Sequence, residues 1–329
     1  MYNSLIMDYD IITTLGPASD QPAVWAGLLE AGATAFRLNT SHLSLLELRG
    51  WLERLAPFLH ANPIPLVLDL QGSKWRLGSF TQRVLNAGEQ VTLTLAETSQ
   101  EPEVLPVPHA DFFHAAPLSN GEVVMNDAKV RLRVEETGAQ RVRARVTLGG
   151  VIAPRKGITF AASAYRSETL SAKDRSIIEE TAGRTFVRYA VSYVKDALEM
   201  ERYRGLFPSG AVLIAKLERE QAMAEARAVA GFADALWVCR GDLGAELGLA
   251  GMARAVRQLT AGLREIAVPV SMAGQVLEHM TGEQTPTRSE VCYLYDTLMQ
   301  GYSGFVLSDE TAIGRYPLES CRAAALFRA

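Results

Sequence analysis

Leu213-Ile214-Ala215-Lys216-Leu217-Glu218-Arg219-Glu220 is the stretch whose reading decides the fold. Four apolar residues in a row, Val212 to Ala215, suit a strand covered on both faces, as in parallel sheets. Strand side chains alternate with period two, so Lys216 and Glu218 leave the strand end on one face. Alone, the stretch also fits a strand end with a solvated ion pair, since strand ends commonly carry charge. The neighbouring segments change that balance. A second apolar run, 235–239, ends in Arg240-Gly241-Asp242, with Glu246 just beyond, and other runs along the chain end in similar polar clusters.

Working outward in both directions, the same alternation returns: a short apolar strand, a polar loop, an amphipathic helix. Strands are expected at 11–15, 34–38, 65–70, 185–191, 212–217, 235–239, 268–272 and 304–307. Helices are expected at 22–31, 44–55, 172–182, 195–203, 220–231, 251–265, 288–301 and 318–325. The second helix is expected to stop before Pro57, which lacks the N–H a continuing helix needs. Eight strand–helix units predict a closed parallel (β/α)8 TIM barrel, of the α/β class. No G-x-G-x-x-G follows a strand and opens a helix, which argues against a dinucleotide-binding half.

One region breaks the rhythm. After Gly78 come short alternating runs, 91–95, 123–127, 129–136 and 141–148, separated by turn signals such as Asn120-Gly121 and Thr137-Gly138. They predict a small all-β, β-barrel-like lid domain over 79–155, inserted between the third and fourth strands of a barrel formed by 1–78 and 156–329. The insertion follows a strand's C-terminal end, where barrel active sites lie, so a lid over substrate is the functional reading. A passive decoration is the plainer one, because long loop insertions cost little.

Composition narrows the class. The chain has 329 residues, 48% of them hydrophobic, and a net charge of −4, which gives no general attraction to nucleic acid or acidic membranes. Its three cysteines are widely spaced, without metal-ligand spacing. No basic N-terminal segment leads into an apolar core, and no apolar run approaches the roughly 18 residues that span a bilayer. A cytoplasmic protein with no membrane or nucleic-acid partner is expected. The histidines show no zinc or hydrolase arrangement.

The strand ends then carry the chemistry. Arg37, Asn39 and Ser41 alternate toward one side after the second strand, a guanidinium fork suited to phosphate beside two oxygen donors suited to a cation. Asp69, Lys74 and Arg76 follow the third strand, Ser308 and Glu310 the eighth, and Lys156 lies where the insertion rejoins the barrel. Glu218 and Asp242, from neighbouring strands, match magnesium, which takes one or two carboxylates and keeps other positions for water and substrate oxygens. Some of these charges also satisfy one another on the plainer reading, Arg240 with Asp242 or Glu246 in particular. The residues alone read as phosphate plus divalent metal in a barrel.

At this point the motifs resemble the pyruvate kinase family nearly end to end. TLGPAS (14–19), FRLNTSH (36–42), LDLQGSKWRLG (68–78), GGVIAPRKGI (149–158), IAKLE (214–218), CRGDLGAE (239–246), PTRSEV (286–291) and LSDETAIGRYP (307–317) stand in family order. The resemblance implies that Glu218 and Asp242 hold Mg2+ or Mn2+, while Lys216 and Arg37 stabilise the phosphoryl group in flight. It implies that Arg76 and Lys156 contact nucleotide phosphates with His42 near the nucleotide. Gly241, Asp242, Gly274 and Ser192 fall at substrate-side positions, and Ser308 with Glu310 at a proton relay. Asn39, Ser41 and Asp69 match the monovalent-cation site. The implied partners are phosphoenolpyruvate or pyruvate and ADP or ATP, with a homo-oligomer formed through barrel faces.

Three departures qualify the resemblance. Lys74 stands where an acid accompanies potassium dependence, with Leu70 and Gln71 beside it, as in the family's potassium-independent branch; a tethered ammonium supplies the same charge, and K+ is not expected to be required. Gly274 replaces the threonine beside the enolpyruvate. The sequence ends on the eighth helix, without the family's C-terminal domain, so effector control through that domain is not expected. The leading expectation is a phosphotransferase acting on phosphoenolpyruvate and ADP. The alternative is a diverged member doing other enolate chemistry on a pyruvate-like or larger substrate: another phosphoryl acceptor, a lyase or a decarboxylase. A non-catalytic paralogue is the third reading, opposed by the cost of keeping converging charges.

Overall fold

A computed structural model of the chain describes residues 7–126, 129–160 and 170–328. The described chain falls into two compact units. The first takes in residues up to Gln71, then Ala172–Arg240, then residues from Ala255 on; the second takes in the described residues of Gly72–Ser171 together with Gly241–Arg254.

In the first unit eight parallel strands close a barrel. In chain order they are Asp10–Thr14, Ala35–Asn39, Leu66–Leu70, Val187–Val191, Leu213–Leu217, Ala235–Cys239, Val270–Ala273 and Gly304–Leu307. Each falls on an expected apolar run, shifted by no more than a few residues. Closure pairs the first strand with the eighth, from Asp10 opposite Gly304 to Thr13 opposite Leu307. Gly304 makes that approach possible, since a Cβ there would stand 2.2 Å from the Asp10 carbonyl oxygen.

An apolar cluster of side chains fills the barrel interior: Ile12, Ala35, Val67, Ala190, Ile214, Trp237, Cys239, Ala273 and Val306. Two positions further along the same strands, alternation puts Thr14, Arg37, Asp69, Ser192, Lys216 and Ser308 on the same face. The apolar plug is thus the floor beneath the polar residues.

The helix expected to stop before Pro57 runs on, from Leu45 to Ala61. Its start is fixed by a capping box, Ser44 with Glu47. Proline removes one hydrogen bond, but the apolar face continues past it: Leu55 and Leu59 are buried, and the Phe58 ring lies 5.7 Å from Trp25 and 6.1 Å from Phe36. Packing on both sides of the proline outweighs the lost bond. The helix expected at 220–231 is broken into Glu220–Ala224 and Ala226–Val229. The one expected at 251–265 begins instead at Arg240 and reaches Ala261, kinked at Gly248, where φ is +68°.

The second unit holds a six-stranded sheet ordered Ile158–Phe160, Glu122–Met125, Val130–Gly138, Arg141–Leu148, Gln90–Thr94, Val104–Pro106, plus a two-stranded ribbon. All neighbours in the large sheet are antiparallel except the last pair, which is parallel. The unit is mostly sheet, as expected, and carries in addition a short helix, Ala110–Ala115. Phe112 and Phe113 from that helix enter the unit's apolar core beside Trp75 and Phe160, and burial of their large rings overrides the strand-like pattern of the surrounding sequence. Asp127, at the end of one expected run, lies outside the described residues. Among the described residues, no helix is long and apolar enough to cross a membrane.

Candidate active site

At the strand ends of the first unit, one carboxylate organises the rest. Asp69 is 1% exposed. Its Oδ2 accepts from Arg37 Nε at 2.9 Å and Nη2 at 2.5 Å, and lies 3.2 Å from Lys216 Nζ; its Oδ1 accepts from Ser192 Oγ at 3.1 Å. Burial alone would raise the Asp69 carboxyl, but Lys216 and Arg37 outweigh it and hold the group below the usual carboxylate range. Arg37 also donates through Nη1 to Thr14 Oγ1 at 2.8 Å. Three of its five N–H donors are thereby engaged, and two remain for a ligand.

Lys216 is held from three sides. Its Nζ donates to Ser192 Oγ at 2.9 Å and lies 3.0 Å from Glu218 Oε1 and 3.2 Å from Asp69 Oδ2. Burial disfavours its charge, yet Asp69 and Glu218 raise it above the ordinary lysine value, so the amine stays an ammonium. Glu218, 2% exposed, accepts from the Tyr193 backbone N–H at 2.7 Å. Tyr193 sits at a φ of +61°, a conformation uncommon for a tyrosine, under the Arg219 guanidinium 4.8 Å from its ring centroid.

The loop after the second strand is tied to the same network. Thr40 Oγ1 donates to the Asp69 carbonyl at 2.8 Å, and Asn39 Oδ1 accepts from the Ser41 N–H at 3.2 Å. His42 is exposed. Lys173 caps this turn, donating to the Thr40 carbonyl at 2.5 Å and to that of Leu43. Its neighbour Asp174, fully buried, accepts from the Gln71 N–H at 3.1 Å. Sequence reading missed Thr14, Tyr193, Lys173 and Asp174. Thr14 opens a motif already singled out, and Lys173-Asp174 is an adjacent cation–acid pair at a helix start, so a weak signal was there.

Arg240 does not behave as a partner for the nearby acids. Its Nε and Nη2 donate to the Gly274 carbonyl at 2.9 and 2.5 Å, and Nη2 reaches the Gln275 carbonyl at 2.9 Å, with the guanidinium 4.6 Å over the Tyr293 ring. Backbone carbonyls at a tight turn need donors, and the guanidinium fork meets two of them at once. The turn is tight because Gly274 and Gln275 have φ of +83° and +54°. Threonine at position 274 would be strained by about 1–2 kcal/mol, since a β-branched residue has no easy left-handed conformation. Gly274→Thr and Gly274→Ala should both lower the melting temperature by a few degrees; unchanged melting would mean the turn relaxes at no cost.

After the eighth strand, Glu310 is 1% exposed and accepts from the Leu277 N–H at 3.0 Å and the Ser308 N–H at 2.6 Å. Burial raises its carboxyl above the ordinary value even against these N–H bonds.

In the second unit, Lys74 is ion-paired with Asp242, and Gly241 beside it is exposed. Arg76 pairs across an antiparallel bridge with Gly157 and donates to the Arg155 carbonyl at 2.9 Å, while the Lys156 carbonyl accepts from the Leu77 N–H at 2.9 Å. Arg76 and Lys156, 80 positions apart in sequence, thus lie on adjoining segments. No group of three or more His, Cys, Asp or Glu among the described residues forms a metal cluster.

Comparison with known proteins gives a consistent result. Residues 7–321 match the family model "Pyruvate kinase, barrel domain". A pyruvate kinase from Methylorubrum extorquens is 33% identical over 316 residues, covering 94% of this chain and 66% of the relative. Pyruvate kinase 2 of Synechocystis is 30% identical, with 94% and 54% covered, and a pyruvate kinase of Aeropyrum pernix is 31% identical, with 94% and 68% covered. The chain therefore spans 66% and 54% of the length of the first two relatives. A solved pyruvate kinase from Cryptosporidium parvum has the same fold, with a TM-score of 0.84, 22% identity, and coverage of 99% of this chain and 70% of that one.

Proposed function

The chain belongs to the pyruvate kinase family, and from that premise we propose that it transfers a phosphoryl group between phosphoenolpyruvate and ADP. The observation that carries this reading is the Lys216 ammonium, buried and fixed by Asp69, Glu218 and Ser192 beside the Arg37 fork. Phosphoryl transfer asks mainly for positioned positive charge, set before the reaction begins. Arg37 is anchored by Asp69 and Thr14 and offers its two remaining donors to phosphoryl oxygens. The three contacts of Lys216 match its three donors, so a substrate oxygen must displace one of them.

The donor chemistry fits a hard divalent cation. Glu218 is a buried carboxylate that accepts from the Tyr193 N–H and lies 3.0 Å from the Lys216 ammonium, an oxygen donor of the kind such a cation takes. Magnesium or manganese needs only one or two carboxylates, here assigned to Glu218 and Asp242, so the lack of a larger acid cluster among the described residues is no obstacle. When bound, the cation supplies charge stabilisation for the enolate of pyruvate. Glu310, raised by burial, is suited to deliver a proton through Ser308. Ser192 and Gly241 belong to the substrate side, and Arg76, Lys156 and His42 to the nucleotide side. A protein with a tethered ammonium at Lys74 should turn over without K+.

A coupled assay with phosphoenolpyruvate and ADP, scanning Mg2+, Mn2+ and K+, tests the reading. Absence of turnover by a folded protein would overturn it. The Gly274 turn favours a second reading, a family member that works on a larger enol substrate, because no side chain stands at that position. Gly274→Val and Gly274→Thr share the β-branched shape and its backbone strain, so the difference between their turnover numbers isolates the hydroxyl. A large advantage of threonine with phosphoenolpyruvate would favour the second reading, and equal rates would count against it.

A further inference from the structure

Within the second unit, Lys74 and Asp242 meet across 168 residues of sequence, with their side chains only 12% and 17% exposed. The chain is shaped to keep them together. A Cβ at position 157 would stand 2.2 Å from Lys74 Cε and 3.0 Å from its Nζ. Gly157 is thus the slot through which the lysine stem passes to reach the carboxylate, and any larger residue would push the stem aside.

We propose that the Lys74 ammonium is a built-in occupant of Asp242, held there by Gly157, and that it competes with the divalent metal for this carboxylate. The inference rests on the reading of Asp242 as a metal ligand. While no metal is bound, the ammonium neutralises an acid whose side chain is only 17% exposed and would otherwise bear an unbalanced charge at a desolvation cost. An arriving divalent cation meets an acid whose charge is already balanced. It must either displace the ammonium from Oδ1 or share the carboxylate with a like charge a few ångströms away. Both lower its affinity, and substrate-free protein is kept largely clear of metal. Lys74 is a positioning residue in this account, acting on the metal through Asp242, and its effect is read in metal affinity before any substrate is added.

The test is a titration of free Mn2+, followed by its electron paramagnetic resonance signal, on the whole chain without substrates. Lys74→Met keeps the apolar stem and removes the charge. It should bind Mn2+ about tenfold more tightly than the wild type, the size expected for removing one like charge near a partly screened site. Gly157→Ala changes no charge but displaces the lysine stem, and should tighten binding in the same direction. Asp242→Asn should weaken it. Lys74→Met binding Mn2+ as the wild type does, or more weakly, while Asp242→Asn still weakens it, would overturn the competition and leave the metal reading standing. Asp242→Asn binding Mn2+ like the wild type would sink both. Tighter binding by Lys74→Met with no change in Gly157→Ala would remove Gly157 from the account. Melting curves of each variant separate a loss of fold from a change in affinity.

Discussion

If the proposed reaction holds, Lys216→Met should lower turnover of phosphoenolpyruvate and ADP on the order of 10³-fold, the scale of removing a positioned charge from a reacting centre. The same substitution also weakens the fold, because Lys216 stands between the buried carboxylates of Asp69 and Glu218. Removing one member of a buried ionic group leaves its partners unneutralised, at about 3–5 kcal/mol. The low end of that range applies here, since Asp69 keeps Arg37 and Glu218 keeps the Tyr193 N–H. Two readouts are therefore needed: steady-state turnover and denaturant unfolding. Lys216→Arg separates them. It keeps the charge and so should recover part of the stability, but a planar fork does not fit a position built for a compact ammonium with three directed donors, so turnover stays low. Retention by Lys216→Met of more than a tenth of wild-type turnover would remove Lys216 from the reaction.

The distribution of what the sequence disclosed follows from range. All eight barrel strands were legible because a strand buried on both faces writes its burial as a continuous apolar run. Lys216 and Glu218 were legible as a pair because two-residue spacing settles their shared face. What Lys216 touches was not, because Asp69 and Ser192 arrive from other strands, 147 and 24 positions away. Arg240 shows the same limit: nearby acids in sequence invited a local pairing, and the guanidinium went to carbonyls of a turn 34 positions on. Pro57 was misread for a related reason, since the local rule omits the aromatic packing of Phe58 that carries the helix past it. Gly274 was legible as a departure from the family but not as a backbone requirement, since its φ of +83° is set by the turn's tertiary setting.

Asp69→Asn tests the centre of the network from the opposite charge. The substitution keeps one oxygen that can accept from Arg37 or Ser192, but puts an NH2 donor in place of the other, facing donors that Asp69 accepted from. Arg37 and Lys216 then share the interior with Glu218 as the carboxylate that remains on Lys216. The expected cost is about 3–5 kcal/mol of stability at neutral pH, with turnover reduced about 100-fold because Arg37 loses its anchor. The pH dependence gives this prediction its sharpest edge. Asp69 is held below its usual range in the folded chain. A depressed carboxyl contributes stability that is fully present above the unfolded value, near about 3.9, and is lost as pH falls through the folded value. The stability gap between wild type and Asp69→Asn should therefore be flat around neutral pH and narrow on acidification below about pH 4. Denaturant unfolding at a series of pH values measures the gap directly. A gap that stays constant or widens in acid would mean that Asp69 is not the ionised centre holding Arg37 and Lys216, and the charge assignments of the site would have to be redrawn from there.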